Sequence, residues 1–287
     1  MTVQAPTRPP GPKPPPPLSP PRPARKGMVG LLDMNDLIVL MVKRDLLGQY
    51  RGSIMGFFWT IINPLGHLLL YTFVFSIILK VRLGTNASVS NFALYLMAGL
   101  LPWGAVSETL NRASGLLLEQ PNLVKRVVFP LEILPLSVTI SAAISQLIGS
   151  VILIIIAAIM GYPPKAVIVA LPLILAAQFL FVGGLSWLLG SLGVYVQDLR
   201  HMISLVLSAW MYATPIVYPA TSLPNKLHFL LWINPIAGMV SDYRRVLLEG
   251  KLPDWPMFCA YTAFALLFWF GGYYFFNKTK RSFADVM

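Results

Sequence analysis

Apolar residues in this chain gather into long blocks separated by short polar stretches, and the blocks are far longer than strands. A bilayer core about 30 Å thick takes roughly 20 apolar residues in a helix. On that measure the chain predicts an all-α integral membrane protein with about six transmembrane helices, at 54–79, 92–110, 133–160, 167–194, 202–218 and 255–276. Asn63-Pro64 predicts a kink or break near the start of the first span, because proline lacks an amide donor. Lys80, Arg82 and the polar run Gly84–Asn91 make the first outer loop, Gly161–Pro164 a short turn, and Gln197–His201 a brief loop before the fifth span.

Two segments are helical in pattern but do not qualify as spans. In 31–50 the apolar run Leu37–Val42 is interrupted by Lys43, Arg44 and Asp45, which predicts a helix lying at the cytoplasmic interface. In 219–254, Leu227–Ile233 and Ile236–Val240 are apolar, but Asn234-Pro235 breaks them and Asp242, Arg244 and Arg245 follow. A full crossing there would bury charge and put the basic C-terminus outside. The segment therefore reads as a re-entrant helical hairpin entered from the outer side, where protein or a water-filled cavity tolerates broken backbone. As a lid it would present Trp232, Asn234, Pro235, Tyr243 and Arg244; a hairpin lying flat on the outer surface is the alternative. Residues 1–30 form a separate proline-rich region, dense from Pro6 to Pro23. It is expected to be a disordered or polyproline II cytoplasmic tail, with no signal-peptide core behind its basic residues. Residues 31–287 make up the transmembrane domain.

Composition narrows the class further. The chain is 56% hydrophobic and only 11% charged, too little charge to cover a soluble core. The net charge of +11 sets orientation: with both termini cytoplasmic, fifteen of the 22 Lys and Arg fall inside. These lie in the tail and interfacial helix, at Arg112, Lys125, Arg126 and Arg200, and at 278–281, whereas Lys80, Arg82, Lys165, Lys226, Arg244, Arg245 and Lys251 fall outside. No basic stripe is interleaved with exposed aromatics, so no nucleic-acid partner is expected. The single cysteine, Cys259, excludes an internal disulfide and a cysteine metal site; its apolar span points to a packing role.

Candidate catalytic chemistry is sparse. No G-x-x-x-x-G-K-[ST] loop is present, and His67, His201 and His228 are scattered without ligand spacing. Glu108 and Glu132 sit near inner ends of spans, and the span centres lack acids that an ion-driven pump would use. The chain is read as a non-enzyme with no metal and no cofactor of its own.

Several stretches in order carry a resemblance. They are Lys43-Arg44-Asp45 through Tyr50-Arg51-Gly52-Ser53 to Gly56 and Trp59; Leu96–Trp103; Asn122–Leu136; and Asn234-Pro235 through Gly238 to Tyr243-Arg244 and Leu247-Leu248. The loop 195–200 and the run Thr214–Pro219 fit as well. From Leu31 onward the chain resembles the membrane-spanning permease of type-2 ATP-binding-cassette (ABC) exporters, in the branch that moves polysaccharides and polyol phosphates. Ser241-Asp242, where a more neutral pair is expected, and the long tail depart from that pattern.

The resemblance implies a homodimer of permeases in the inner membrane of a bacterium, working with two copies of a separate ATPase that binds the ATP. It implies a lipid-linked glycan substrate, with O-antigen the leading reading and capsule or teichoic acid the alternative. The loop between spans two and three would be the ATPase-coupling helix, with Pro121-Asn122 capping two turns up to Phe129, and Asn122, Leu123, Val124, Lys125 and Arg126 docking. Asp198 and Arg200 would sit in the next inner loop. The residues by themselves equally allow Lys125 and Arg126 a purely orienting role. Tyr71, Phe73, Phe75, Trp210 and Tyr212 are candidate channel aromatics by sugar stacking, with lipid-facing or packing roles the alternative. A flippase or secondary transporter without an ATPase is the competing class.

Overall fold

The computed structural model describes residues 34–49, 52–78, 80, 89–124, 129–220, 223–224, 226 and 229–286. The proline-rich tail, Leu31–Asp33, most of the first outer loop, Lys125, Arg126 and His228 lie outside the described residues. Every regular element among those described is helical. In order they are α1 (Asn35–Gln49), α2 (Trp59–Tyr71), α3 (Val89–Ala113), α4 (Pro121–Val124), α5 (Ile133–Ile159), α6 (Leu171–Tyr195), α7 (Leu199–Ala213), α8 (Phe229–Ile233), α9 (Pro235–Arg244), α10 (Trp255–Thr279) and α11 (Phe283–Val286).

Among the described residues, three helical segments are long and apolar enough to cross a membrane: Ile133–Ile159, Ala166–Tyr195 and Trp255–Ser282. Their exposed faces are the apolar ones. On α5, Leu147, Val151, Ile155 and Ile159 recur every fourth residue and are exposed, whereas Gln146, Ser150, Leu153 and Ala157 face inward. On α10 the outward stripe is Phe264, Leu267, Phe270 and Tyr274. Apolar outside with small and polar inside is the arrangement a lipid solvent selects, because lipid gives apolar side chains no reason to hide.

Close packing then depends on small residues. At Gly184 a Cβ would strike the backbone of Phe268 and Trp269, and at Gly272 it would strike the Gly184 carbonyl, so α6 and α10 touch backbone to backbone. Trp187 is fully buried in this crossing, its ring 4.6 Å from Trp269 and 5.1 Å from Tyr273. Its indole N–H donates to the Glu132 carbonyl at 2.9 Å. The Glu132 carboxylate in turn accepts from Lys280 at 3.2 Å.

Four local expectations change. Pro64 lies inside α2 without ending it, and beyond Tyr71 the helix continues in wider π-type turns, Thr72–Ile78. Pro64 is the sixth residue of α2, so the helix forgoes one intrahelical amide bond there and continues. Helix α3, over the second expected span, begins at Val89, inside the stretch assigned to the outer loop. The fifth expected span is cut short. Helix α7 has 15 residues, about 22 Å long, and Thr214 is extended (φ −99°, ψ 133°) because Pro215 disfavours helix before it. Cys259 is exposed rather than packed.

Candidate functional site

Helix α2 carries a polar stripe: Asn63, His67 and Tyr71 lie four apart on one helix face. In the structure that face borders a cavity of about 500 Å³ between α1, α2, α3 and α5. Polar groups reach it from every wall: Gln49 from α1, Ser107 and Glu108 from α3, and Ser145 and Gln146 from α5. Trp103 and Met97 supply apolar surface, and Gly104 leaves its wall open, since a Cβ there would meet nothing within 4 Å. His67 Nδ1 donates to the Asn63 carbonyl at 2.8 Å. Gln146 is fixed by a reciprocal amide pair with Gln178, both bonds 3.0 Å, and Gln178 donates also to the Pro102 carbonyl at 2.9 Å.

One end of the cavity is closed by polar contacts between α1 and α3. Gln49 donates to Glu108 at 2.8 Å, Arg112 pairs with Glu108 at 3.2 Å, and Arg112 also pairs with Asp45. Arg44 donates to Gln120 at 2.9 Å, the residue just before α4. A continuous chain of contacts thus runs from the cavity through α1 to the start of α4.

A second constellation holds α8 and α9. Asn234 caps α9 by accepting from Ile236 N at 3.1 Å, accepts from Trp210 at 3.0 Å, and donates to Thr214 at 2.8 Å. Arg244 is 4% exposed, and its guanidinium donates to the carbonyls of Tyr95, Pro215 and Ile216 at 3.1, 2.6 and 2.6 Å. It also lies 3.6 Å from the centre of the Tyr95 ring, a cation–π contact. Tyr243 is bonded to Ser150. Asp242, the unexpected acid, is 1% exposed; it accepts from the Asp254 amide at 2.8 Å and from Tyr261 at 3.0 Å. Burial pushes its carboxyl above the ordinary range, and those two donors pull it back.

The sequence-predicted residues are dispersed among these features. Asn122, Leu123 and Val124 lie in α4, which is described for one turn only; Gln120 precedes it, so Asn122 is inside the turn and does not cap it. Asp198, between α6 and α7, and Arg200, in the first turn of α7, are both exposed. Of the aromatics, Tyr71 lines the cavity and Phe75 bridges Tyr71 and Phe92, at 6.3 and 5.1 Å. Trp210 packs edge-on against Trp103 and Phe181, whereas Phe73 and Tyr212 are exposed. Trp232 is exposed, while Asn234, Tyr243 and Arg244 are buried and Pro235 half-buried. The sequence reading took Asn63 only as part of a helix break and did not single out Gln146 and Gln178, although polar side chains inside apolar helices are themselves a signal.

Apolar outward faces around an interior that holds polar groups are those of a membrane protein. The chain belongs to the ABC-2 type transporter family, whose model matches residues 36–248. It is 27% identical over 251 residues to an O-antigen export system permease of Myxococcus xanthus, covering 87% of this chain and 94% of that protein. A Klebsiella pneumoniae O-antigen export system permease is 28% identical, with 88% and 95% covered. The polysialic acid transport protein KpsM of Escherichia coli is 22% identical, with 76% and 83% covered.

Proposed function

We propose that this chain is the permease subunit of an ATP-driven exporter that moves a lipid-linked polysaccharide of the O-antigen kind across the cytoplasmic membrane. The observation that carries the reading is the near full-length match to O-antigen export permeases. The more distant match to a polysialic acid transport protein keeps capsule polymer as the second substrate class. In this reading the chain has six spans, both termini are cytoplasmic, the tail 1–30 is solvated, and α8–α9 form a re-entrant lid on the outer side. Two copies pair with two copies of an ABC ATPase, which holds the ATP.

The coupling path follows from the contact chain. An ATPase docked on Asn122–Phe129, with Asp198 and Arg200 beside it, would pull on Gln120, hence on Arg44 and α1, hence on Gln49 and Glu108 at the cavity end. The bonds are partly exposed, so each is worth about 1 kcal/mol or less; together they fix geometry rather than supply energy.

The test reverses two charges at the docking segment. Like charges across an interface cost several kcal/mol, enough to weaken assembly by about two orders of magnitude. Lys125→Glu with Arg126→Glu should abolish export and co-purification of the ATPase. Insertion, read by cysteine labelling from each side, should stay normal because the other thirteen of the fifteen inner basic residues remain. A correctly inserted double variant that keeps its ATPase and exports polymer would end the coupling assignment.

A further inference from the structure

We infer that the cavity between α1, α2, α3 and α5 binds a sugar ring of the exported polymer, rather than the phosphate groups of its lipid carrier. The inference rests on the export reading above and adds which part of the substrate is held, and where.

Four observations carry it. The cavity, at about 500 Å³, is of ligand size. On α3 it runs from Met97 to Glu108, eleven residues or about 16 Å, so it suits an elongated occupant. Its polar lining is amide, hydroxyl and imidazole, groups that both donate and accept, as sugar hydroxyls do. Among the described residues no lysine or arginine lines it, and the Glu108 carboxylate stands at one end. A diphosphate would meet no lysine or arginine among the described lining residues, and the one carboxylate there is already paired with Arg112, whereas a neutral polyol would find partners on every wall. Trp103 and Tyr71 add aromatic surface for the C–H faces of a ring.

Gly104 offers a way to fill the space without disturbing the fold. A Cβ there would meet nothing within 4 Å on the cavity wall, and leucine is the better helix former, so Gly104→Leu is expected to fold. Overfilling a site by even a methylene costs tenfold or more in discrimination. Export by this variant should therefore fall by about tenfold or more, with ATPase co-purification and thermal stability unchanged. Wild-type export rate in Gly104→Leu would overturn the inference.

The bound group is identified by capture in cells that make the polymer. A photoreactive benzoylphenylalanine is placed at Ser145, inside the cavity, and as a control at Val151, on the exposed face of α5. After irradiation, mild acid cleaves the sugar–phosphate bond, so the mass left on the peptide reports which side was held. The expected result is a peptide carrying sugar residues from position 145 and not from 151, lost in Gly104→Leu. A prenyl phosphate adduct at 145, or no adduct there while export proceeds, would overturn the assignment. Export by the unsubstituted chain in the same cells reports separately on the permease reading.

Discussion

Arg244→Met should lower the thermal midpoint of the purified protein by about 6–12 °C and abolish export. Arg244 donates to three backbone carbonyls contributed by two segments, Tyr95 of α3 and the Pro215-Ile216 pair just beyond α7. Methionine matches its length but donates nothing. Each buried acceptor left without a partner costs about 1–3 kcal/mol, and because other polar groups in a membrane protein partly compensate, the sum is set at about 3 kcal/mol. For a chain of this size, that corresponds to the stated shift. Lysine should recover only part of the loss, since one ammonium cannot serve three carbonyls in the fan that a guanidinium reaches. The same loss should follow from Gly99→Leu, because a side chain at Gly99 runs into the Arg244 guanidinium. Size-exclusion chromatography after heating reads both; an unchanged midpoint in Arg244→Met would show that the clamp contributes nothing.

Gly184→Val should be more damaging still, with little folded protein recovered. The new Cβ would overlap the backbone of Phe268 and Trp269, and backbone cannot swing aside as a side chain tip can. Helices α6 and α10 would have to separate, opening the slot that holds Trp187. Overpacking of this kind costs about 1–3 kcal/mol when side chains can yield, and more when they cannot. Gly271, one residue before the equally tight Gly272, has open space around its Cβ position. Gly271→Ala should therefore fold like the parent chain, and a comparable loss there would mean that the effect of Gly184→Val owes nothing to the close crossing.

What the sequence revealed and what it hid divide along physical lines. The helices α5, α6 and α10 were legible because an apolar run of bilayer length needs no tertiary information, and the broken pair α8–α9 was legible from Asn234-Pro235. The short α7 was written in Pro215, but the apolar run to Tyr218 outweighed it. Arg244 was counted as an outer basic residue, whereas the structure buries it against carbonyls up to 149 positions away in sequence. Asp242 broke the expected pattern for a similar reason: its partners are Asp254, just before α10, and Tyr261, within it. The pairing of Gln146 with Gln178 likewise depends on how α5 meets α6, which no local periodicity encodes. The stripe Asn63–His67–Tyr71 was visible at four-residue spacing, yet its meaning required the opposite walls of the cavity.

The account stands most directly on energy coupling. Proteoliposomes would be made with this chain, with and without its ABC ATPase, and supplied with lipid-linked polymer on the outer face that corresponds to the cytoplasm. The account predicts that polymer enters the lumen only when both proteins are present and ATP is hydrolysed, and that this chain alone hydrolyses none. Polymer movement by this chain alone under a proton or sodium gradient, indifferent to ATP, would contradict it.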